Sequence, residues 1–232
     1  MTTQRWVPRL HLISEPSVCS WERLTVLLPA LLEAGVEAIH VRSRQAPASE
    51  LLTVACTFRR LVAPPRILVV NDRVDLAVLS EADGVHLPEH GLRVAMVRRL
   101  LGGGRLVGRS VHSVEAAQEA VREGCDYLLF GNVFETDSKP GAPGRGLAEL
   151  RAVAGAVSVP VIAVGGITPA RVAEVLVAGA YGVAVIRGVL GADDPVGAVV
   201  AYRQEVDEVL RHGDPRRVER ETRRTRWSAD AG

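Results

Sequence analysis

Arg66-Ile67-Leu68-Val69-Val70-Asn71 reads as a strand covered on both faces. Ile67, Leu68, Val69 and Val70 follow one another with no polar residue between them. A strand with one wet face alternates apolar and polar side chains, whereas an unbroken β-branched run is the mark of a parallel sheet covered by helices. The run then stops abruptly at Asn71-Asp72.

Runs of the same kind recur on either side. Leu10–Ser14, Ala38–Arg42, Gly84–Leu87, Leu106–Val111, Tyr127–Asn132, Val159–Gly165 and Gly182–Gly188 join Arg66–Asn71 to give eight candidate strands. Segments with helical spacing lie between them. Trp21 to Gly35 carries Leu24, Leu27, Leu28, Leu31 and Leu32 on one side, and the Ala- and Glu-rich Ser113–Gly124 ends at a glycine. Thr168-Pro169 opens a helix with a capping hydroxyl and a proline at its first position, and Asp194-Pro195 opens the last helix in the same way. Ala34-Gly35-Val36, Glu123-Gly124-Cys125 and Ala178-Gly179-Ala180 place glycine where a helix ends in the left-handed conformation.

Eight strands alternating with helices over about 210 residues is the count of a (β/α)8 TIM barrel. The rival is a doubly wound open sheet, which carries a glycine-rich turn after its first strand. Ser14-Glu15-Pro16-Ser17 stands there instead, so the barrel is expected. Its bounds are a lead-in over 1–9, one barrel domain over 10–210 and an arginine-rich tail over 211–232, read as a solvated helix extension or a disordered tail.

The 232 residues are enough to bury a full core, and the hydrophobic (47%) and charged (24%) fractions are those of an ordinary globular α/β protein. The formal net charge of +1 points to neither a nucleic-acid nor an acidic partner. Cys19, Cys56 and Cys125 fit neither a zinc site nor a redox pair and read as inert thiols of a reducing compartment. With no signal peptide and no membrane span in view, a cytoplasmic protein is expected. The Leu- and Val-rich helix faces suit either a homo-oligomer interface or the barrel wall.

In such a barrel the chemistry sits where strands end. The expected strand ends bring forward His40, Arg42, Arg44, Asn71, Asp72, His86, Glu89, His90, Arg109, Ser110 and His112, and the sixth delivers Phe130-Gly131-Asn132-Val133-Phe134-Glu135-Thr136-Asp137-Ser138-Lys139-Pro140-Gly141. That last stretch gathers an amide, hydroxyls, acids and a lysine, conspicuous in a chain that otherwise uses arginine. Gly165-Gly166-Ile167-Thr168-Pro169 and Ile186-Arg187-Gly188 follow strands seven and eight, where these barrels often bind phosphate on backbone N–H groups. His11 reads as structural and His86 equally as a satisfied core histidine or a catalytic one, while His40 and His112 are candidates to face the site and move protons near neutral pH.

Val70-Asn71-Asp72-Arg73-Val74-Asp75, Ala82-Asp83-Gly84-Val85-His86-Leu87, Gly108-Arg109-Ser110-Val111-His112-Ser113, Asp126-Tyr127 through Lys139, and Ala163-Val164-Gly165-Gly166-Ile167-Thr168 together resemble the thiamine phosphate synthase/TenI superfamily, in motif order from about Leu10 to Leu210. The resemblance implies the same barrel and a small-molecule thiazole phosphate as ligand. Thiamine phosphate synthases join a pyrimidine pyrophosphate to a thiazole phosphate with Mg²⁺. TenI-type tautomerases aromatise a carboxythiazole phosphate and need no metal. The synthase pattern has Gln, Arg and Lys where this chain has His40, Arg42 and Arg44, and a Gly-Gln-x-Asp motif where it has Pro88-Glu89-His90-Gly91. The second metal aspartate is therefore missing and Asp72 alone remains. The tautomerase places its catalytic histidine in Gly-His-Val-Phe, where this chain has Asn132, whose amide cannot accept and return a proton.

On the resemblance, the expected function is a thiazole tautomerase-like isomerase without a cofactor. Asn132, His112 and His40 are its candidate catalytic residues. Arg42, Asn71, Ser110, Thr136, Ser138, Lys139, Gly165, Gly166, Ile186 and Arg187 are its candidate ligand and phosphate contacts. The alternatives are a synthase using Mg²⁺ on Asp72, and a non-catalytic thiazole-phosphate-binding or regulatory protein.

Overall fold

Ile67, Leu68, Val69 and Val70 are all buried and form β3 (Ile67–Asn71), flanked on each side by a parallel strand. The computed structural model describes residues 6–136, 141 and 143–212. Within them the chain runs β1 (Leu10–Ile13), α1 (Trp21–Glu33), β2 (Ala38–Val41), α2 (Ala48–Leu61), β3, α3 (Val74–Leu79), β4 (Gly84–Leu87), α4 (Val94–Leu101), β5 (Leu106–Val111), α5 (Val114–Arg122), β6 (Tyr127–Gly131), α6 (Gly146–Ala156), β7 (Val161–Val164), α7 (Pro169–Val177), β8 (Gly182–Val185), α8 (Arg187–Leu190) and α9 (Pro195–Arg211). The eight strands pair in chain order and β8 returns to β1, which closes a single-domain (β/α)8 barrel. The Arg-rich stretch lies outside the described residues beyond His212.

Three local expectations change. The eighth strand stops at Val185 rather than Gly188, because Ile186 turns the chain (φ −128°, ψ −88°) and Arg187 opens the short α8. The seventh is likewise shorter, Val161–Val164. Thr168 stands at the N-cap of α7 but its side chain makes no capping hydrogen bond, so Pro169 at the first position is what favours the start. Asp194 does cap α9, accepting from Gly197 N–H at 2.9 Å.

Alternation along each strand splits the core in two. Ala38, Val69, Leu129, Ile162 and Ala184 fill the barrel interior, while Ile39, Val41, Leu68, Val70, Leu128 and Phe130 pack outward under the helices. The interior also holds His11, His40, His86 and Tyr127. Their rings abut in a closed circuit, with centroids 5.3 Å (His11–His40), 5.7 Å (His40–His86), 5.6 Å (His86–Tyr127) and 5.7 Å (His11–Tyr127) apart. Gly108 makes room for it: any Cβ there would run into the Tyr127 ring and lie 2.6 Å from His86 Nδ1.

A carboxylate fastens each even strand from β2 to β6 to the strand before it at the N-terminal face. Glu37 accepts from Leu10 N–H (3.0 Å), Asp83 from Leu68 N–H (2.7 Å) and Asp126 from Val107 N–H (2.7 Å). Arg203 (3.0 Å), Arg59 (2.8 Å) and Arg98 (2.5 Å) pair with these acids in turn. Such charge-assisted bonds stabilise the face opposite the strand C-termini. Among the described residues no helix is long and apolar enough to cross a membrane.

Candidate active site

The C-terminal mouth gathers most of the expected residues, but they do different things there. Asn71 ends β3 opposite His86 of β4 and is half-buried. His40, one layer in, is fully buried; its Nδ1 lies 3.0 Å from Asn71 Oδ1 and its Nε2 3.0 Å from His11 Nδ1. Burial, reinforced by the neighbouring His11 and His86, holds its pKa well below the ordinary histidine value. His11 and His86 are pushed down by burial to about 4 and about 3. These rings are therefore neutral at pH 7 and act through their hydrogen bonds.

Ser110 faces inward from β5, and its Oγ lies 2.8 Å from His86 Nε2. Arg42, just past β2, is held at the rim: its guanidinium pairs with Glu15 (2.6 Å), and its backbone exchanges hydrogen bonds with Ser14, whose Oγ accepts from Arg42 N–H (2.8 Å) and donates to Arg42 O (3.0 Å). His112 sits beyond β5, where Glu89 grips it twice, accepting from its backbone N–H (3.0 Å) and lying 2.6 Å from Nδ1. It lines a crevice with Arg145 and Glu149 between α5 and α6.

Asn132 is buried just past β6, and its Nδ2 donates to the carbonyls of Phe134 (3.2 Å) and Pro143 (3.3 Å). The amide thus clips its own loop. That loop runs along the one after β7, where Val133 N–H donates to Val164 O (2.9 Å) and Phe134 N–H to Gly165 O (3.1 Å). Gly165 (φ +98°) and Gly166 (φ +65°) adopt left-handed conformations, and a Cβ on Gly165 would lie 2.5 Å from Asn132 Cβ. Only glycine lets the two loops approach so closely. Thr136 is half-buried at the end of this stretch; Ser138 and Lys139 lie outside the described residues.

Ile186 and Arg187 begin α8, whose first amides lack partners within the helix, as at any helix start. Tyr202 of α9 reaches in from behind. It donates to Ile167 O (2.7 Å), and its hydroxyl fills the space where a side chain on Gly188 would stand. One tyrosine thereby braces the loops that follow β7 and β8. No local pattern announces it, because the contact joins residues 35 positions apart.

Asp72 is exposed beside Asn71, in the left-handed conformation (φ +64°). Among the described residues no group of three or more His, Cys, Asp or Glu is placed to hold a metal ion. Glu89 is engaged by His112, and the neighbouring Gly91 offers no side chain; a Cβ there would lie 3.2 Å from Asp72 Oδ1. A lone carboxylate fits Mg²⁺ when phosphate oxygens and waters complete the shell, and it is too few for a metal held by protein alone.

The sequence profile described as thiamine monophosphate synthase matches residues 10–189. A thiamine-phosphate synthase of Roseiflexus castenholzii is 41% identical over 194 residues, covering 83% of this chain and 85% of that protein. Another, from Methanoculleus marisnigri, is 40% identical over 199 residues, covering 85% of this chain and 94% of that protein. Among solved structures, thiamine phosphate pyrophosphorylase from Pyrococcus furiosus matches with a TM-score of 0.79 at 35% identity, covering 87% of this chain and 96% of that one. These relatives overturn the expected tautomerase: at such identity across the barrel they are named as synthases, transferases rather than isomerases. The site carries the physical reason, since position 132 holds an amide committed to its own loop where proton shuttling needs a titratable group.

Proposed function

The chain belongs to the thiamine monophosphate synthase family, and from that we propose that it joins a pyrimidine pyrophosphate to a thiazole phosphate, releasing pyrophosphate. The observation that carries this reading is the 41% identity to a thiamine-phosphate synthase along 83% of the chain, beside a family match over residues 10–189 that spans every strand of the barrel.

The residues divide the work. The N–H groups of Gly165, Gly166, Ile186 and Arg187 receive the thiazole phosphate, with charge favoured by the start of α8. Asn71 and Ser110, each backed by a buried histidine, orient the heterocycle at the mouth. Arg42 and Thr136 contact the phosphates from opposite sides, with Ser138 and Lys139 contributing from the sixth loop. The nucleophile is the thiazole nitrogen itself, so the protein has to position two substrates and stabilise a leaving pyrophosphate, and no shuttling base is required. Mg²⁺, implied for a synthase, would be held by Asp72 and would neutralise charge on that leaving group.

The test is direct. The protein is incubated with pyrimidine pyrophosphate, thiazole phosphate and Mg²⁺, and released pyrophosphate and thiamine phosphate are both measured. Stoichiometric formation of the two, lost on chelation, is expected. Binding of thiazole phosphate with no turnover would overturn the synthase and leave a ligand-binding protein on the same barrel.

A further inference from the structure

A line of hydrogen bonds crosses the barrel interior from its N-terminal side to its mouth. His11 Nε2 lies 2.9 Å from Pro8 O, His11 Nδ1 lies 3.0 Å from His40 Nε2, and His40 Nδ1 lies 3.0 Å from the amide of Asn71. Both rings are wholly buried, so no solvent proton enters the count.

The ends of this line fix what lies between. Pro8 O can only accept, so His11 Nε2 carries a proton. The gap between the two rings holds one proton. If the Asn71 oxygen faces His40, it too can only accept, and His40 Nδ1 must then carry a third. Three protons on two rings make one of them an imidazolium. If the amide is turned by half a rotation so that its NH2 donates to His40 Nδ1, two protons suffice and both rings are neutral. An amide exchanges its oxygen and nitrogen in this way with almost no change of shape.

The surroundings decide between the two. The two rings touch each other, His86 and Tyr127, and among the described residues no carboxylate makes a hydrogen bond or ion pair with either ring. Glu37, the acid that acts on His11 from a distance, spends its oxygens on Arg9 N–H, Leu10 N–H and Arg203. A buried imidazolium with no counter-ion is far costlier than a turned amide.

We propose that His11 and His40 act as positioning residues that lock the polarity of Asn71, turning its NH2 inward and its carbonyl oxygen to the mouth of the barrel. Asn71 is then a pure acceptor toward the ligand. The group it selects is an N–H donor on a heterocycle, such as a ring amino group, and it rejects an oxo group at the same place because two acceptors would be buried against each other. The ligand half of this proposal rests on the synthase reading; the protonation half does not.

Two measurements test it. The ring nitrogens of the ligand-free wild-type protein are observed by nitrogen-15 NMR at pH 7. Neutral rings with the proton on Nε2 in both His11 and His40 are expected; an imidazolium, or a proton on Nδ1 of either, would overturn the proposal. This arm is independent of turnover, so its failure is separate from failure of the synthase assay. The second arm compares pyrimidine pyrophosphates bearing an amino or an oxo group on the ring. His11→Phe, which removes the acceptor for His40 Nε2–H, should reduce the preference for the amino substrate about tenfold, mainly through KM. His11→Gln, whose amide oxygen can accept in its place, should restore it. An unchanged preference in both variants, in folded protein, would sink the specificity role.

Discussion

Tyr202 Oη donates to the carbonyl of Ile167 at 2.7 Å and stands against Gly188, so α9 braces the loops that follow β7 and β8. Removing that hydroxyl leaves a buried carbonyl without its donor. Tyr202→Phe should cost roughly 1–2 kcal/mol in chemical denaturation. It should also raise KM for the thiazole phosphate more than it lowers kcat, because the loops would lose alignment while the reacting centre keeps its groups. An unchanged KM would show that the brace serves stability alone.

Asp72 separates conformation from charge. Its φ of +64° suits Asn about as well as Asp, whereas alanine there costs about 1 kcal/mol. Asp72→Asn should melt with the wild type and Asp72→Ala below it, yet both should lose Mg²⁺-dependent turnover by roughly a hundredfold. Gly91→Asp should lower the Mg²⁺ concentration needed for half-maximal rate, since its Cβ would lie 3.2 Å from Asp72 Oδ1 after a small shift of the Pro88 ring. Equal turnover in Asp72→Asn and wild type would remove Asp72 from the metal.

Gly165→Ala combines a left-handed backbone with a collision against Asn132. A loss of at least about 2 kcal/mol is expected, with weaker binding of inorganic phosphate by calorimetry. A stable variant with intact phosphate affinity would place the anion elsewhere.

The buried histidines set an acid limit. His11 and His86 bind protons in the folded barrel only near about pH 4 and about pH 3, against 6.5 in the unfolded chain. The unfolded state therefore binds more protons between those values. Stability should be full above pH 6.5, fall by a few kcal/mol as pH drops toward 4, and level off below the folded pKa values as far as these groups are concerned. Denaturant midpoints across pH 4–8 check it, and His86→Gln should flatten the slope over that range.

Much of the barrel was legible because its strands are buried twice over. Ile67–Val70 needs no partner to announce two covered faces, and seven other runs repeat the signal. Strand eight ends sooner than its apolar pattern, because Ile186 continues that pattern while its backbone has already turned. Alternation also puts His40 inside, but its contact with His11 is set by the β1–β2 register, Ile13 opposite His40, which sequence does not display. The same holds for Glu37, Asp83 and Asp126, each one residue before a strand, whose role needs the preceding strand beside it. The reaction is hidden for a different reason. Gly91 in place of a metal aspartate points away from a synthase only if one ligand decides the reaction, whereas a phosphate-bearing substrate brings its own oxygens to Mg²⁺.

Gly108 and Tyr127 carry a consequence for descent. The ring occupies the volume that any side chain at 108 would need, with His86 immediately behind it. Position 108 cannot drift alone: a lineage that acquires even alanine there must first trade the tyrosine for something smaller, and then lives with a different neighbour for His86. Residues 108 and 127 should therefore change together among relatives, as a linked pair beneath a mouth whose own residues vary with the ligand.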